Sequence, residues 1–159
     1  MTNKKLDNLV IENAQIRFRN FSGNPDKFNT RGGVRQFAVL IPHDIAADLM
    51  NEGWNIKFLK ARTEDEDDQP YLSVKVNYSG NVHPNIYLVT KKNKTLLNED
   101  TVGSLDYAEI ANVDITIRPY QWEVNGKTGV AAYVKTMYVT VVEDEFASKY
   151  DFDDEIPFN

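Results

Sequence analysis

Apolar and polar residues alternate along most of this chain, and the repeat is two far more often than 3.6. In PYLSVKVNYS the pattern turns Leu72, Val74, Val76 and Tyr78 to one side, as a half-buried strand requires. Trp54, Ile56 and Phe58 alternate as another strand, NIYLVTKK gives a further one, and VRQFAVLIP reads as a short, largely buried one. In residues 9 to 21, LVIENAQIRFRNF, alternation sets in near the end. It places Ile16 and Phe18 on one face and Arg17, Arg19 and Phe21 on the other. Helical spacing occurs twice. Asp44, after Pro42 and His43, stands where it would cap a short helix with Ile45, Leu49 and Met50 inward and Gly53 as its stop. Asn98 stands likewise before a second helix running through Asn112, with Val102, Leu105 and Ile110 inward, although Gly103 weakens it. SGNPDKFNTRGG and TEDEDDQ are turn-rich and read as loops.

The strongest local pattern is VDITIRPYQWEVNGKTGVAAYVKTMYVTVVED. Asn125-Gly126 between two alternating runs predicts a hairpin with a type I′ turn. That turn fixes the register: Val124 opposite Lys127, Trp122 opposite Gly129, Tyr120 opposite Ala131, Arg118 opposite Tyr133. One face then holds Ile115, Ile117, Val130, Ala132 and Val134. The other holds Arg118, Tyr120, Trp122, Tyr133 and Lys135.

Two readings of that second face stand side by side. Its rings either pack half-buried against another layer, with the cations at the rim, or form a platform on which unpaired bases stack while cations follow the phosphates. On the second reading, small Gly129 and Ala131 leave room for a base to approach Trp122 and Tyr120. Arg17, Arg19 and Phe21 repeat the combination on the first strand. In the glycine-rich loop, Lys27, Phe28, Arg31 and Arg35 either close over a bound strand or decorate an ordinary surface loop. Lys91, Lys92 and Lys94 read as a solvated turn.

Composition narrows the class. A chain of 159 residues with 42% hydrophobic content fits one domain with short tails. It has no cysteine, hence no disulfide and no thiolate metal site, as a reducing cytoplasm allows. MTNKKLDNLVIENAQ lacks the apolar run of a signal peptide, and no stretch approaches a membrane span. His43 and His83 stand far apart and read as turn residues, so no metal or other cofactor is expected.

A net charge of -6 argues against a nucleic-acid partner until its distribution is read. Seven of the 24 acids lie from Glu143 onward, with Lys149 as the one base there, which leaves 17 acids against 17 bases in residues 1 to 142. Five of those acids are the run Glu64-Asp65-Glu66-Asp67-Asp68. Acid is gathered in one loop and the tail, and base is spread along the strands. Five consecutive carboxylates do not converge on one ion, and their spacing is not that of a calcium loop. A nuclease would need acids facing each other across strands, and Lys75 has Ser73, not an acid, two residues before it. With no phosphate-cradling glycine motif and no Ser/His/Asp order, an enzyme is not expected.

The segment DFDDEIPFN carries four carboxylates ahead of Ile-Pro-Phe. It resembles the acidic tip of bacterial single-stranded-DNA-binding proteins, and IRFRNFSG, GWNIKFLKAR and IRPYQWEVNGKTGVAAYVK resemble bacteriophage-encoded proteins of that kind over most of the chain. The resemblance implies a mainly β, oligonucleotide-binding (OB-fold) five-stranded barrel at residues 1–142, with extra strand and helix insertions. A disordered acidic tail at 143–159 would follow it. It implies sequence-independent binding of single-stranded DNA in phage replication and recombination, in the cytoplasm of an infected bacterium, by Arg17, Arg19, Phe21, Phe28, Arg31, Arg35, Arg118, Tyr120, Trp122, Tyr133 and Lys135. It further implies that Asp151, Asp153, Asp154 and Glu155 meet a basic rim on phage or host replication or recombination proteins, while Ile156, Pro157 and Phe158 enter an apolar pocket. Asn159 departs from the family pattern, in which the phenylalanine is usually last. The rival reading is a β-rich interaction or virion-accessory protein whose aromatic face docks another protein.

Overall fold

The computed structural model describes residues 5–27 and 30–143. Its strands are β1 (Leu9–Ile11), β2 (Ile16–Asn20), β3 (Arg35–Leu40), β4 (Ile56–Leu59), β5 (Gln69–Val76), β6 (Asn85–Val89), β7 (Lys94–Leu97), β8 (Ile110–Val124) and β9 (Lys127–Val141). One α-helix, α1 (His43–Glu52), and a 3-10 turn, Val102–Asp106, complete it. The strands join in one sheet with the order β1-β8-β9-β5-β3-β2; β4 lies on β5, and β6 lies between β9 and β7. The two ends of that order, β1 and β2, are consecutive in the chain. Between them the Ala14 amide donates to the Val113 carbonyl at 2.7 Å. This is the expected mainly β, oligonucleotide-binding type of fold, with more strands than the minimal five.

The hairpin forms because its local chemistry and its hydrophobic period agree. Asn125 (φ 52°) and Gly126 (φ 79°) are both left-handed, as a type I′ turn demands. The pairs Arg118–Tyr133, Tyr120–Ala131, Trp122–Gly129 and Val124–Lys127 are those the turn dictates. Ile115, Ile117, Val130, Ala132 and Val134 are all buried, as are Leu72, Val74, Val76 and Tyr78 of the β5 segment. Beside them Phe21 stacks on Phe37 with ring centroids 4.9 Å apart.

Three expectations are corrected. The segment from Asn98 to Asn112 is not a helix. The Asn98 side chain accepts from the Asp100 and Thr101 amides, but only a 3-10 turn comes after it, and its three-residue repeat suits buried Val102 and Leu105. The Asp106 carboxylate then turns away to accept the Phe21 and Ser22 amides at 2.6 and 3.1 Å, and Ile110 enters β8. In α1, Gly53 is the stop, but Asp44 lies in the first turn without capping it, and Met50 is exposed while Ala46 and Leu49 are buried. In β2, Phe18 does not share the inner face with Ile16. A bulge between Arg17 and Asn20 puts Phe18 at φ 55°, so Phe18 is 65% exposed and Phe21 is fully buried.

Candidate nucleic-acid interface

The outer residues of β5 are the complement of its buried set: Tyr71, Ser73 and Lys75. Antiparallel pairing sets Gln36 of β3 beside Lys75, and a parallel contact sets Lys75 beside Tyr133 of β9. Tyr133 in turn faces Arg118 of β8. Paired residues share a face, so Gln36, Lys75, Tyr133 and Arg118 form one row across four strands, about 14 Å wide at the usual strand spacing. The Arg118 guanidinium lies over the Tyr133 ring, 5.6 Å from its centroid, and Tyr120 meets Tyr133 edge-on at 6.3 Å.

Beside this row, a groove of about 830 Å³ opens between β4–β5 and the hairpin. Lys57, Tyr71, Ser73 and Lys75 line one side, Trp122 and Thr128–Ala132 the other, and buried Trp54, Leu72 and Val130 form its floor. Trp54 is held there by a bridge to Val130. Phe18, turned outward by its bulge, reaches Tyr71 edge-on at 6.3 Å. The groove thus offers flat rings and two lysines, and among the described residues no acid lines it. Such a surface attracts a polyanion with exposed π-faces.

Trp122 lies flat because its partner has no side chain. A methyl group on Gly129 would stand 2.6 Å from the indole Cε2 and 2.9 Å from Nε1. The expectation that Gly129 leaves space for a base is therefore corrected: the indole itself fills that space, and a ligand would meet the exposed part of Trp122, a residue 38% exposed as a whole.

The other candidate residues fall elsewhere. Lys135 is exposed and lines a small cavity with Arg118, Tyr133, Asn77, His83 and Asn85. Arg17 and Arg19 line a separate groove with Ala108, Glu109 and Asn112, at the seam between β2 and β8. Arg19 there donates to the Leu105 and Ala108 carbonyls at 2.8 and 2.7 Å. Phe21 belongs to the core and cannot touch a ligand from where it lies. Arg35 is not poised to close over anything: it donates to the Phe21 carbonyl at 2.9 Å, pairs with Glu99 at 3.7 Å and covers the Tyr78 ring. These ties and the Gly33–Gly23 hydrogen bond fix the base of the glycine-rich loop, on which Arg31 is exposed. Phe28 and the tail residues Asp151, Asp153, Asp154, Glu155, Ile156, Pro157 and Phe158 lie outside the described residues.

Sequence reasoning misses Lys57, Tyr71 and Phe18 as site residues, and it meets Lys75 only in weighing a nuclease. The alternation that turns Leu72 and Val74 inward already sends Tyr71 and Lys75 outward. The parallel contact that sets Lys75 beside Tyr133 has no local trace.

A family model described as a putative phage ssDNA-binding domain matches residues 1–159. Three solved structures of the single-stranded DNA-binding protein from bacteriophage Enc34 share the fold. The one in complex with ssDNA is 12% identical with a TM-score of 0.53, covering 87% of this chain and 89% of that one. A structure of that protein named without truncation or ligand is 10% identical with a TM-score of 0.53, covering 94% and 87%. A C-terminal truncation is 11% identical, again at 0.53, covering 86% and 87%. No curated protein matches the chain.

Proposed function

The chain belongs to the putative phage ssDNA-binding domain family, and we propose that it binds single-stranded DNA without regard to sequence. The observation that carries this reading is the groove itself, in which Trp122 faces Lys57, Tyr71 and Lys75 beside the Arg118–Tyr133 pair, with no acid among the described residues that line it. Bases stack on the rings, and the cations follow the phosphates on either side. Stacking needs only a π-face, so any base serves. A duplex keeps its bases paired and stacked and cannot use the rings in this way. Neither stacking nor phosphate pairing reads a 2′-hydroxyl, so RNA of equal length competes.

On this reading residues 1–142 are the binding body and 143–159 a recruitment tail. The protein has no catalytic role. It protects replication and recombination intermediates in the infected bacterial cell, and the tail docks phage or host proteins of those processes. Among the described residues no helix is long and apolar enough to cross a membrane. The Enc34 protein was solved in complex with ssDNA, which supports the same ligand here.

The test is a pair of titrations with matched single- and double-stranded oligonucleotides. Oligo-dT is expected to quench Trp122, to bind far more tightly than the duplex, and to lose affinity steeply with salt. Equal affinity for the duplex, or affinity indifferent to salt, refutes the reading. No DNA binding at all would favour the protein-docking alternative.

A further inference from the structure

A second group of rings lies beyond the groove and takes no part in it. Tyr87 of β6 and Tyr138 of β9 are register partners. Their rings stack with centroids 4.9 Å apart and planes 12° off parallel. Lys94 of β7 places its ammonium 4.8 Å from the Tyr87 centroid and 5.7 Å from that of Tyr138. Ile86, Met137 and Val139 on either side are fully buried, so the tyrosines stand on the outer surface, where Tyr138 remains 37% exposed.

That surface is the one that carries Trp122. Tyr133 and Tyr138 are five residues apart and would face opposite ways along an unbroken strand. The register breaks between them: Ile117 pairs with Val134 and Thr116 with Thr136, which leaves Lys135 unopposed. This bulge resets the alternation and returns both tyrosines to the outer side of the ribbon. From the hairpin tip inward, the outer side therefore presents Trp122 and Tyr120, then Tyr133 with Arg118, then Lys135, then the tyrosine pair with Lys94. From Gly129, the partner of Trp122, to Tyr138 the track is about 30 Å long at the usual rise per residue.

We propose that Tyr87, Tyr138 and Lys94 form a second stacking subsite, which takes a base of the same single strand after it leaves the groove past Tyr133 and Lys135. The proposal rests on the single-stranded-DNA reading of the groove. Asp114 pairs with Tyr138 from β8, and its carboxylate is engaged by the Asn13 amide and the Asn112 side chain. The phosphate accordingly passes on the Lys94 side of the rings, away from that carboxylate.

The test uses the full chain and labelled oligo-dT of about 4 and about 16 nucleotides, the ends of the range one such domain covers. The longer strand reaches both ring groups, the shorter only one. Tyr138→Ala is expected to weaken the longer oligonucleotide about tenfold or more and to leave the shorter unchanged. Tyr138→Phe keeps the ring and is expected to keep the affinity. Lys94→Ala is expected to reduce the salt slope by about one for the longer strand alone. Should Tyr138→Ala fail to fold, as judged by circular dichroism, the Lys94→Ala slope decides. Wild-type protein that bound both lengths, with Tyr138→Ala weakening neither or weakening both equally, would overturn the subsite and leave the groove standing. Wild-type protein that bound neither would overturn the groove reading and the subsite with it.

Discussion

Gly129→Ala is a sharp perturbation of the groove, because it moves a ring without removing one. The added methyl would lie 2.6 Å from the Trp122 Cε2, and real Cβ contacts essentially never fall below 3.0 Å. Since ordinary contact begins near 3.4 Å, the indole must withdraw by about 1 Å or swing to another rotamer. Strand stability should change little, since alanine in place of a strand glycine contributes about 0.5–1 kcal/mol while the displaced indole loses some packing. The binding cost should be larger. A base that stacks on Trp122 contributes about 1–3 kcal/mol, so both Gly129→Ala and Trp122→Ala are expected to weaken oligo-dT by about 5- to 150-fold. The double variant separates mechanism from accident: once the indole is gone the methyl has nothing to displace, so Trp122→Ala/Gly129→Ala should bind like Trp122→Ala alone. The assay is anisotropy with labelled oligo-dT, with urea unfolding to check stability. Additive losses in the double variant, or unchanged affinity in Gly129→Ala, would refute the claim that Gly129 acts by seating the indole.

Neighbouring features carry further consequences. Lys75→Ala and Arg118→Ala should each lower the slope of log affinity against log salt by about one, in salt titrations with oligo-dT, and an unchanged slope would place that cation off the phosphate path. Residues 144–159 carry six acids and one lysine, so a chain that stops after Glu143 should bind single strands more tightly at low salt, the tethered polyanion no longer competing with phosphates; equal affinity at low salt would rule out the competition. Tyr78 is buried with no hydrogen-bond partner for its hydroxyl among the described residues, and burial pushes its pKa above the usual 10.0. The neutral phenol is thus favoured in the folded state, so its contribution is intact below pH 10 and is lost as pH rises through the folded pKa. Tyr78→Phe should raise stability by about 1 kcal/mol and blunt that alkaline loss, as urea unfolding from pH 8 to 11 would register.

How much of this was legible in the sequence depended on how local each determinant was. Asn125-Gly126 and a clean period of two carry the whole hairpin register, and with it the shared face of Arg118, Tyr120, Trp122 and Tyr133. Period counting fails wherever one residue is inserted. The bulge in β2 exchanged Phe18 for Phe21 between surface and core, and a count that assumes an unbroken strand assigns both rings to the wrong side. The same device at Lys135 hides the alignment of Tyr138 with Tyr133. Asn98 offers a true capping side chain, but the length of the turn after it is decided by Asp106, whose carboxylate is needed by the Phe21 and Ser22 amides far away in the chain. Arg35 looks like a free loop cation because nothing nearby in sequence shows that the Phe21 carbonyl and Glu99 claim it.

The charge pattern shows why a sum over the whole chain misleads about the partner. With a net charge of -6 the protein should repel DNA at long range, yet at physiological salt a charge is felt over only about 8 Å. What a phosphate meets in the groove is set by the residues nearby, and among the described residues the lining contains Lys57 and Lys75 and no acid. The run Glu64–Asp68 contributes nothing to that lining: its last member, Asp68, is turned back on its own loop, where its side chain accepts the Ala61 amide. The rings of the groove stand on a sheet whose opposite face supplies the core, which separates the binding surface from the residues that hold the fold. Ring substitutions on the outer face should then change affinity with little change in stability. Phe21→Ala, by contrast, should cost about 3–5 kcal/mol of stability and leave the affinity of the remaining folded protein intact.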